Sequence, residues 1–164
     1  MITSMRVAEV ASELHDLLCF DLGAERFAMP LAAVEEIVDA GDIASARNTS
    51  GALGVLRVRG EVLPVYDATH VLQSARTNAQ PLALILPSAS AFVAILVDGA
   101  EAAPRVSLDG LRTPPALIST DRVLDGVLRV GVRWVGLINA SAFVDALTNN
   151  LNLASRSGAG RHGR

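Results

Sequence analysis

Few side chains in this sequence have the type and spacing that metal binding requires. The three histidines, His15, His70 and His162, are far apart in the chain, and its one cysteine, Cys19, lies within an apolar segment. Metal sites built from these residue types show short, characteristic spacings, and the sequence contains none of them. A thiol in an apolar segment is usually buried and inert. We therefore expect neither a metal nor a cofactor.

Residues that could act in nucleophilic or acid–base catalysis are also poorly arranged. Ser88, Ser90 and Ser119 lie in predicted loops, but none is part of a GxSxG elbow. Asp67 and Asp98 each follow a predicted strand and could form a carboxylate pair. Aspartate at a strand end more often forms a turn by binding neighbouring backbone. The chain has no lysine to complete a phosphate-binding P-loop. The sequence therefore predicts that the protein is not an enzyme.

Charged residues beside apolar ones point instead to a surface that binds another protein. Arg59 lies at the tip of a predicted hairpin between apolar strands, and Glu35 and Glu36 lie between Val34 and Ile37. Such charges are equally typical of solvated turns, so this pattern alone leaves both interpretations open. An apolar surface ringed by a few charges is nevertheless a common form of protein–protein interface.

The composition excludes several classes of protein. Of 164 residues, 51% are hydrophobic and 19% charged, which is too apolar for disorder and fits an ordinary globular domain. The net charge is −3, so we expect no nucleic-acid partner, and an oligonucleotide-binding barrel is the weaker alternative. No run of about 18 apolar residues could span a bilayer, and the first residues lack a signal-peptide core. We expect a cytoplasmic protein without direct membrane insertion.

One stretch of the chain occurs twice. Gly54–Leu72 and Gly126–Val144 align without a gap at an offset of 72 (126 − 54), and both begin GVLRV. Hydrophobic positions mostly match hydrophobic ones, and Asp67 corresponds to Asn139. Agreement over the whole stretch predicts a duplicated structural unit, in which each copy forms a hairpin followed by a helical turn.

Outside the repeat, apolar runs bounded by turn residues predict two more hairpins and an edge strand. These are 17–22 with 27–31 around a turn at 23–26, 82–86 with 92–97, and 101–108, which contains Pro104. Segment 32–38 fits a helical turn or a strand equally well. The chain ends are interpreted as a short helix or frayed lead-in at 1–16, a helix at 140–148 and a disordered tail at 151–164.

The polar segment 73–81 is the best candidate boundary between two halves of one domain that covers 17–147. We place the halves at about 17–75 and 82–147. Each is expected to contain a hairpin, a loop and a second hairpin. Sheets this small cannot bury themselves alone, so closure into barrels with a shared core is the expected solution.

Several ordered motifs in the sequence resemble those of the CheW-like domain family, the chemotaxis coupling adaptors. They are FDLGAERF at 20–27, VEEI at 34–37, GVLRVRGEVLPVYD at 54–67, AILVDG at 94–99 and GVLRVGVRWVGLIN at 126–139. The resemblance covers roughly 17–147. It implies a mainly β fold with two intertwined five-stranded SH3-like β-barrel subdomains that share a core, and short terminal helices.

The resemblance also implies a non-enzymatic adaptor that couples the cytoplasmic tip of a methyl-accepting chemoreceptor to a CheA-type histidine kinase. By position, Val34, Glu36 and Arg59 match residues associated with the groove that holds the receptor, and Ile37 and Val58 are expected to support that groove from below. Kinase-facing residues are not assigned.

The sequence also departs from the family pattern. Arg57 stands in place of the usual asparagine and Ala68 in place of leucine. A scaffold for a pilus-motility or developmental signalling pathway is therefore the alternative function.

Overall fold

The structure is a computed structural model that describes residues 13–41, 43, 52–77, 81–89, 91–113 and 123–148. Within these residues, ten strands form two five-stranded sheets. The strands are β1 Leu14–Leu22, β2 Glu25–Pro30, β3 Glu36–Asp39, β4 Gly54–Val58, β5 Glu61–Tyr66, β6 Leu82–Pro87, β7 Phe92–Val97, β8 Gly99–Ser107, β9 Leu124–Val130 and β10 Arg133–Ile138.

The two sheets exchange strands between the halves of the sequence. Sheet A has the order β8-β1-β2-β10-β9, and sheet B has the order β3-β6-β7-β5-β4. Each sheet thus contains the first hairpin of one half and the last three strands of the other. In each sheet a parallel pair joins strands from the two halves: β2 with β10 in sheet A, and β5 with β7 in sheet B. The predicted mainly β fold with two interlocked five-stranded subdomains is confirmed.

The registers of the strand pairs show that the repeated stretch is a structural duplication. Gly54 pairs with Val65 in the β4–β5 hairpin, and Gly126 pairs with Leu137 in the β9–β10 hairpin. Every pair of the first hairpin recurs in the second at the same offset of 72 (126 − 54). The duplication predicted from sequence is therefore present at the level of individual residue pairs.

The first hairpin of each half is duplicated in the same way. Cys19 pairs with Ala28 across β1 and β2, and Ile85 pairs with Ala94 across β6 and β7, an offset of 66 (85 − 19). The two halves therefore share strand order and register throughout these hairpins, and differ by six residues (72 − 66) in the connection between the hairpins of each half.

Three predicted elements differ from the structure. Residues Leu14–Asp16 belong to β1 and not to a helix, because they lie alongside the end of the long edge strand β8. The predicted four-residue turn at 23–26 is a tighter turn of Gly23 and Ala24, since Glu25 already pairs with Leu22. The segment 32–38 contains both alternatives, a helical turn and a strand, because the 3₁₀ turn Leu31–Ala33 is followed by β3. Residues 1–12 and 149–164 lie outside the described residues.

The other predicted elements are confirmed. Strand β8 carries Pro104 at the edge of sheet A, and Pro30 ends β2. A short helix, Thr69–Leu72, follows β5, and a helix at 140–148 follows β10. No helix in the described part of the chain is long and apolar enough to cross a membrane.

The polar residues that follow the two repeated hairpins have the same local role. The Asp67 carboxylate accepts the backbone N–H of Thr69 at 2.9 Å, and the Asn139 side-chain oxygen accepts the backbone N–H of Ala142 at 3.1 Å. Each side chain thus satisfies a backbone donor at the start of a helix. The turn-forming interpretation of Asp67 is confirmed, and Asn139 caps the C-terminal helix.

The apolar core consists of three clusters, which we name by position. The sheet-A cluster is Leu17, Cys19, Ala28, Leu128, Val135 and Leu137. The sheet-B cluster is Ala40, Leu56, Leu63, Val65, Ala83, Ile85, Ala94 and Leu96. The larger shared cluster takes residues from both sheets and from the C-terminal helix, including Phe20, Phe27, Leu84, Ile95 and Phe143. The shared cluster is what makes the two sheets one domain.

Asp98 links segments that are distant in the sequence and is not the local turn-former expected from sequence. Its carboxylate accepts the backbone N–H of Gly23 at 2.6 Å and that of Thr77 at 3.0 Å. It therefore ties the segment that connects the two halves to the β1–β2 turn. There the backbone packs closely, because a Cβ at Gly23 would lie 2.7 Å from the Ala75 carbonyl oxygen.

We expect Asp98→Ala to lower the free energy of unfolding by about 1–3 kcal/mol, because it removes a charged acceptor from two backbone donors. Urea unfolding followed by circular dichroism measures the loss. Asp145→Ala, at an exposed position of the C-terminal helix, is the matched control and should change stability by less than about 0.5 kcal/mol. Equal effects of the two variants would contradict this stabilising role of the Asp98 carboxylate.

Candidate functional site

A cavity of about 210 Å³ opens at the edge of sheet B, and we call it the sheet-B cavity. It lies where the edge strands β3 and β4 approach the β4–β5 turn. Its floor is apolar and its rim is charged. The lining residues are Glu35, Glu36, Val58, Arg59, Glu61, Leu63, Ile85 and Phe92.

The β4–β5 turn positions Arg59 on the rim of this cavity. Arg59 and Gly60 both have positive φ, +51° and +82°, as a two-residue type I′ hairpin turn requires. Glycine adopts this conformation freely, whereas for arginine it is uncommon. The turn directs a largely exposed guanidinium towards β3, where it donates a hydrogen bond to the Glu36 carboxylate.

The Arg59–Glu36 ion pair closes one side of the sheet-B cavity. The Arg59 side chain is 82% exposed and that of Glu36 is 25% exposed. Exposed ion pairs contribute at most about 1 kcal/mol to stability. Arg59 and Glu36 can therefore separate and pair with groups of a bound protein at little cost to the stability of the fold.

Three of the five residues predicted for the site line this cavity together: Glu36, Val58 and Arg59. Val34 lies just before β3, is half-buried and packs against the shared cluster. Ile37 is 41% exposed and is not a lining residue. The proposed roles of all five in binding stay predictions.

Sequence reasoning missed part of the site. Leu63 and Phe92 contribute to the lining, and neither was singled out. Leu63 follows the inward alternation of β5 and could have been found by period-2 patterning. Phe92 starts β7, which enters sheet B by strand exchange, and no local signal in the sequence indicates that exchange.

The duplication creates a second cavity in sheet A, the sheet-A cavity, with a volume of about 450 Å³. Glu101 pairs with Cys19 across β8 and β1, just as Glu36 pairs with Ile85 across β3 and β6. The lining residues are Cys19, Arg26, Glu101, Ala102, Ala103, Pro104, Val106, Val130, Gly131, Val132 and Arg133. The two cavities are thus equivalent positions of the duplicated unit.

Charge distribution distinguishes the sheet-A cavity from its counterpart. Gly131 occupies the position that Arg59 has in the first copy, so the ion pair across the opening is lost. Glu101 instead accepts a hydrogen bond from Arg26 at 3.4 Å. Arg26 also donates two hydrogen bonds to Asp21, at 2.9 and 3.2 Å, and these raise the pKa of its guanidinium. Arg26 is therefore a permanent cation.

Cys19 lies at the floor of the sheet-A cavity but has no features of a reactive thiol. It is 1% exposed, and burial raises its pKa. A protonated, inaccessible thiol is a poor nucleophile. The structure agrees with the expectation that this cysteine is inert.

The residues considered for catalysis are not brought together as a catalytic pair. Asp67 binds Thr69 locally, whereas Asp98 binds the backbone of Gly23 and Thr77. Among the described residues, no group of three or more His, Cys, Asp or Glu side chains could hold a metal ion. The remaining candidates Ser90, Ser119 and His162 lie outside the described residues.

Comparison with known proteins agrees with this architecture. The family model of the CheW-like domain matches residues 16–148. Among solved structures, the fold is similar to that of the scaffolding protein TtCheW from Thermoanaerobacter tengcongensis, with a TM-score of 0.68 and 18% sequence identity. That similarity covers 80% of this chain and 88% of the other. No curated protein sequence matches the chain significantly.

Proposed function

Because the chain belongs to the CheW-like domain family, we propose that it is a non-enzymatic cytoplasmic adaptor that couples the tip of a chemoreceptor to a CheA-type histidine kinase. The observation that supports a binding role most directly is the sheet-B cavity. It combines an apolar floor with an exposed ion pair whose two members were both expected to bind the receptor.

The cavity has a shape that suits a helical partner. At about 210 Å³ it is large enough for one or two apolar side chains but small for a metabolite, since small-molecule sites are typically about 300–1,000 Å³. A helix laid across the opening would place an apolar residue over Leu63 and Phe92. Polar residues next to it on the helix would form new ion pairs or hydrogen bonds with Arg59 and Glu36, and these would fix the register of the helix.

The non-enzymatic part of the proposal is supported by how the chemically capable residues are used. The Asp67 and Asp98 carboxylates bind backbone N–H groups, and Cys19 is buried within the sheet-A cluster. Each of these side chains thus has a structural role. The proposal is the same whether the pathway controls flagella, pili or another output.

Calorimetric titration with two fragments tests the proposal. One fragment is the cytoplasmic hairpin tip of a chemoreceptor, and the other is the regulatory domain of a CheA-type kinase, both from the same source as the chain. We expect each to bind with a dissociation constant in the micromolar range, which corresponds to about 8 kcal/mol. The absence of binding to both fragments by a folded chain would reject the adaptor function.

A further inference from the structure

The second copy of the repeat exposes an aromatic ring where the first copy has an aliphatic side chain. Trp134 on β10 is 52% exposed, and its counterpart at the offset of 72 (134 − 62) is Val62 on β5. The next residue along the strand, Arg133, lines the sheet-A cavity. Successive side chains of a strand point to opposite faces, so Trp134 lies on the other face of the β9–β10 hairpin, away from that cavity.

Two arginines flank this ring, and we call the three residues Trp134, Arg112 and Arg129 the Trp134 patch. Arg129 is the direct cross-strand partner of Trp134. The guanidinium carbon of Arg112 lies 5.8 Å from the centroid of the indole ring, a distance typical of a cation–π contact. Both arginines are exposed. Within the described part of the chain, neither of them forms an ion pair.

Backbone contacts fix the position of Arg112. Arg112 and Val127 exchange two backbone hydrogen bonds, at 2.9 and 2.7 Å, and the Thr113 hydroxyl donates to the Asp125 carbonyl at 2.9 Å. Gly126 makes this close approach to β9 possible, because a Cβ there would overlap the Arg112 carbonyl oxygen. Arg112 is therefore held beside the ring before any partner binds, which lowers the entropic cost of binding.

The same contacts bring Arg129 close to Trp134. Val127 uses its backbone N–H and C=O for Arg112, so its pairing with Gly136 on β10 is a non-hydrogen-bonded pair. The Arg129–Trp134 pair lies two residues further along and is of the same kind. Side chains of such pairs approach each other most closely. The patch is thus one ring with a fixed cation on either side.

We propose that the Trp134 patch docks an acidic segment of a partner protein, in which carboxylate side chains flank an apolar one. The apolar side chain packs on the exposed part of the indole ring. Each guanidinium donates to one carboxylate, and neither has to give up an ion pair within the described chain to do so. Tryptophan and arginine are also the residues that most often dominate the binding energy of an interface.

The patch suits a short acidic segment better than a nucleic acid. Single-stranded nucleic acid is held by several aromatic rings along a basic groove, whereas the patch has one ring and two cations. The chain carries a net charge of −3, and the carboxylate of Asp125 is exposed four residues before Arg129 on β9. A long chain of phosphates would be repelled here, but a local pair of carboxylates would not.

The Trp134 patch is separate from the surfaces described above. None of its three residues lines the sheet-A cavity or the sheet-B cavity. A protein bound at the patch therefore leaves both cavities open. This role goes beyond the proposed coupling of receptor to kinase and does not depend on it.

Trp134 is the only tryptophan of the chain, so its fluorescence reports directly on the patch. The probe is a blocked peptide with two glutamates on each side of a leucine. Its titration into the full chain at about 50 mM salt should shift the emission to shorter wavelength, with a dissociation constant below about 1 mM. A matched peptide with glutamines should bind at least about tenfold more weakly, and about 500 mM salt should weaken binding of the glutamate peptide.

Neutral substitutions of the two arginines locate the binding site. Arg112→Gln and Arg129→Gln should each weaken binding of the glutamate peptide at least about fivefold, because each removes one charged donor. Arg57→Gln, at the counterpart of Arg129 in the first copy, and Arg59→Gln, in the sheet-B cavity, are the matched controls. Both should bind the peptide like the wild type.

Three results would overturn the proposal. The first is the absence of a shift up to about 5 mM glutamate peptide, and the second is equal binding of the two peptides. The third is unchanged binding in both Arg112→Gln and Arg129→Gln, with circular dichroism showing both folded. In the same assay, a single-stranded oligothymidine that bound more tightly than the peptide would identify a nucleic-acid site instead.

Discussion

Replacing Arg59 with glutamate is expected to weaken binding of the chemoreceptor tip by about 10- to 100-fold, or about 1.4–2.8 kcal/mol. The substitution removes the cation from the rim of the sheet-B cavity and adds a fourth carboxylate to those of Glu35, Glu36 and Glu61. It also places a like charge against Glu36, with which Arg59 is paired in the free protein. Calorimetric titration with the receptor fragment measures the effect.

Arg57→Glu makes the same change of charge two residues earlier and outside the cavity, so it controls for the net charge of the protein. It should alter receptor binding by less than about threefold, because exposed charges outside an interface contribute little. Arg59→Glu should leave the melting temperature nearly unchanged. A folded Arg59→Glu variant that binds the receptor like the wild type would show that the cavity is not the receptor site.

Truncating Phe143 to alanine is expected to lower the free energy of unfolding by about 3–5 kcal/mol. Phe143 is 0% exposed and lies in the shared cluster, where the C-terminal helix meets residues of both sheets. Because that cluster joins the two sheets, both should unfold together in one transition, in the wild type and in the variant. Urea unfolding measures both the loss and the number of transitions.

The chain supplies a separate optical probe for each sheet. Its only tryptophan, Trp134, lies on β10 of sheet A, and its only tyrosine, Tyr66, lies on β5 of sheet B. Unfolding curves followed by the two signals should coincide. Val62→Ala, at a side chain that is 54% exposed, is the control and should cost less than about 0.5 kcal/mol. Two separated transitions would contradict a shared core.

The sequence was most informative where local signals repeat. The offset of 72 between GVLRV segments predicted the paired hairpins, and the structure reproduces every strand pair at that offset. Gly60 and Gly131 lie in the two turns with positive φ, a conformation that glycine adopts freely. Pro104 correctly placed β8 at a sheet edge, since proline cannot donate to a neighbouring strand.

Non-local features escaped prediction because no local pattern encodes them. The residues alone indicate two hairpins in each half, but the family resemblance was needed to predict that the halves interlock. In the sequence, Asp98 has the position of a turn residue. Its contacts with Gly23 and Thr77 join segments that are distant in the chain, so no local pattern predicts them. Similarly, Phe92 reaches the sheet-B cavity only through the pairing of β7 with β5.

We propose that this duplicated β fold binds a receptor and a kinase at the same time. Titrating the kinase regulatory domain into the chain already saturated with receptor tip tests it most directly. We expect the kinase fragment to bind the complex with an affinity within about threefold of its affinity for the free chain. Failure of the kinase fragment to bind unless the receptor tip is displaced would contradict it.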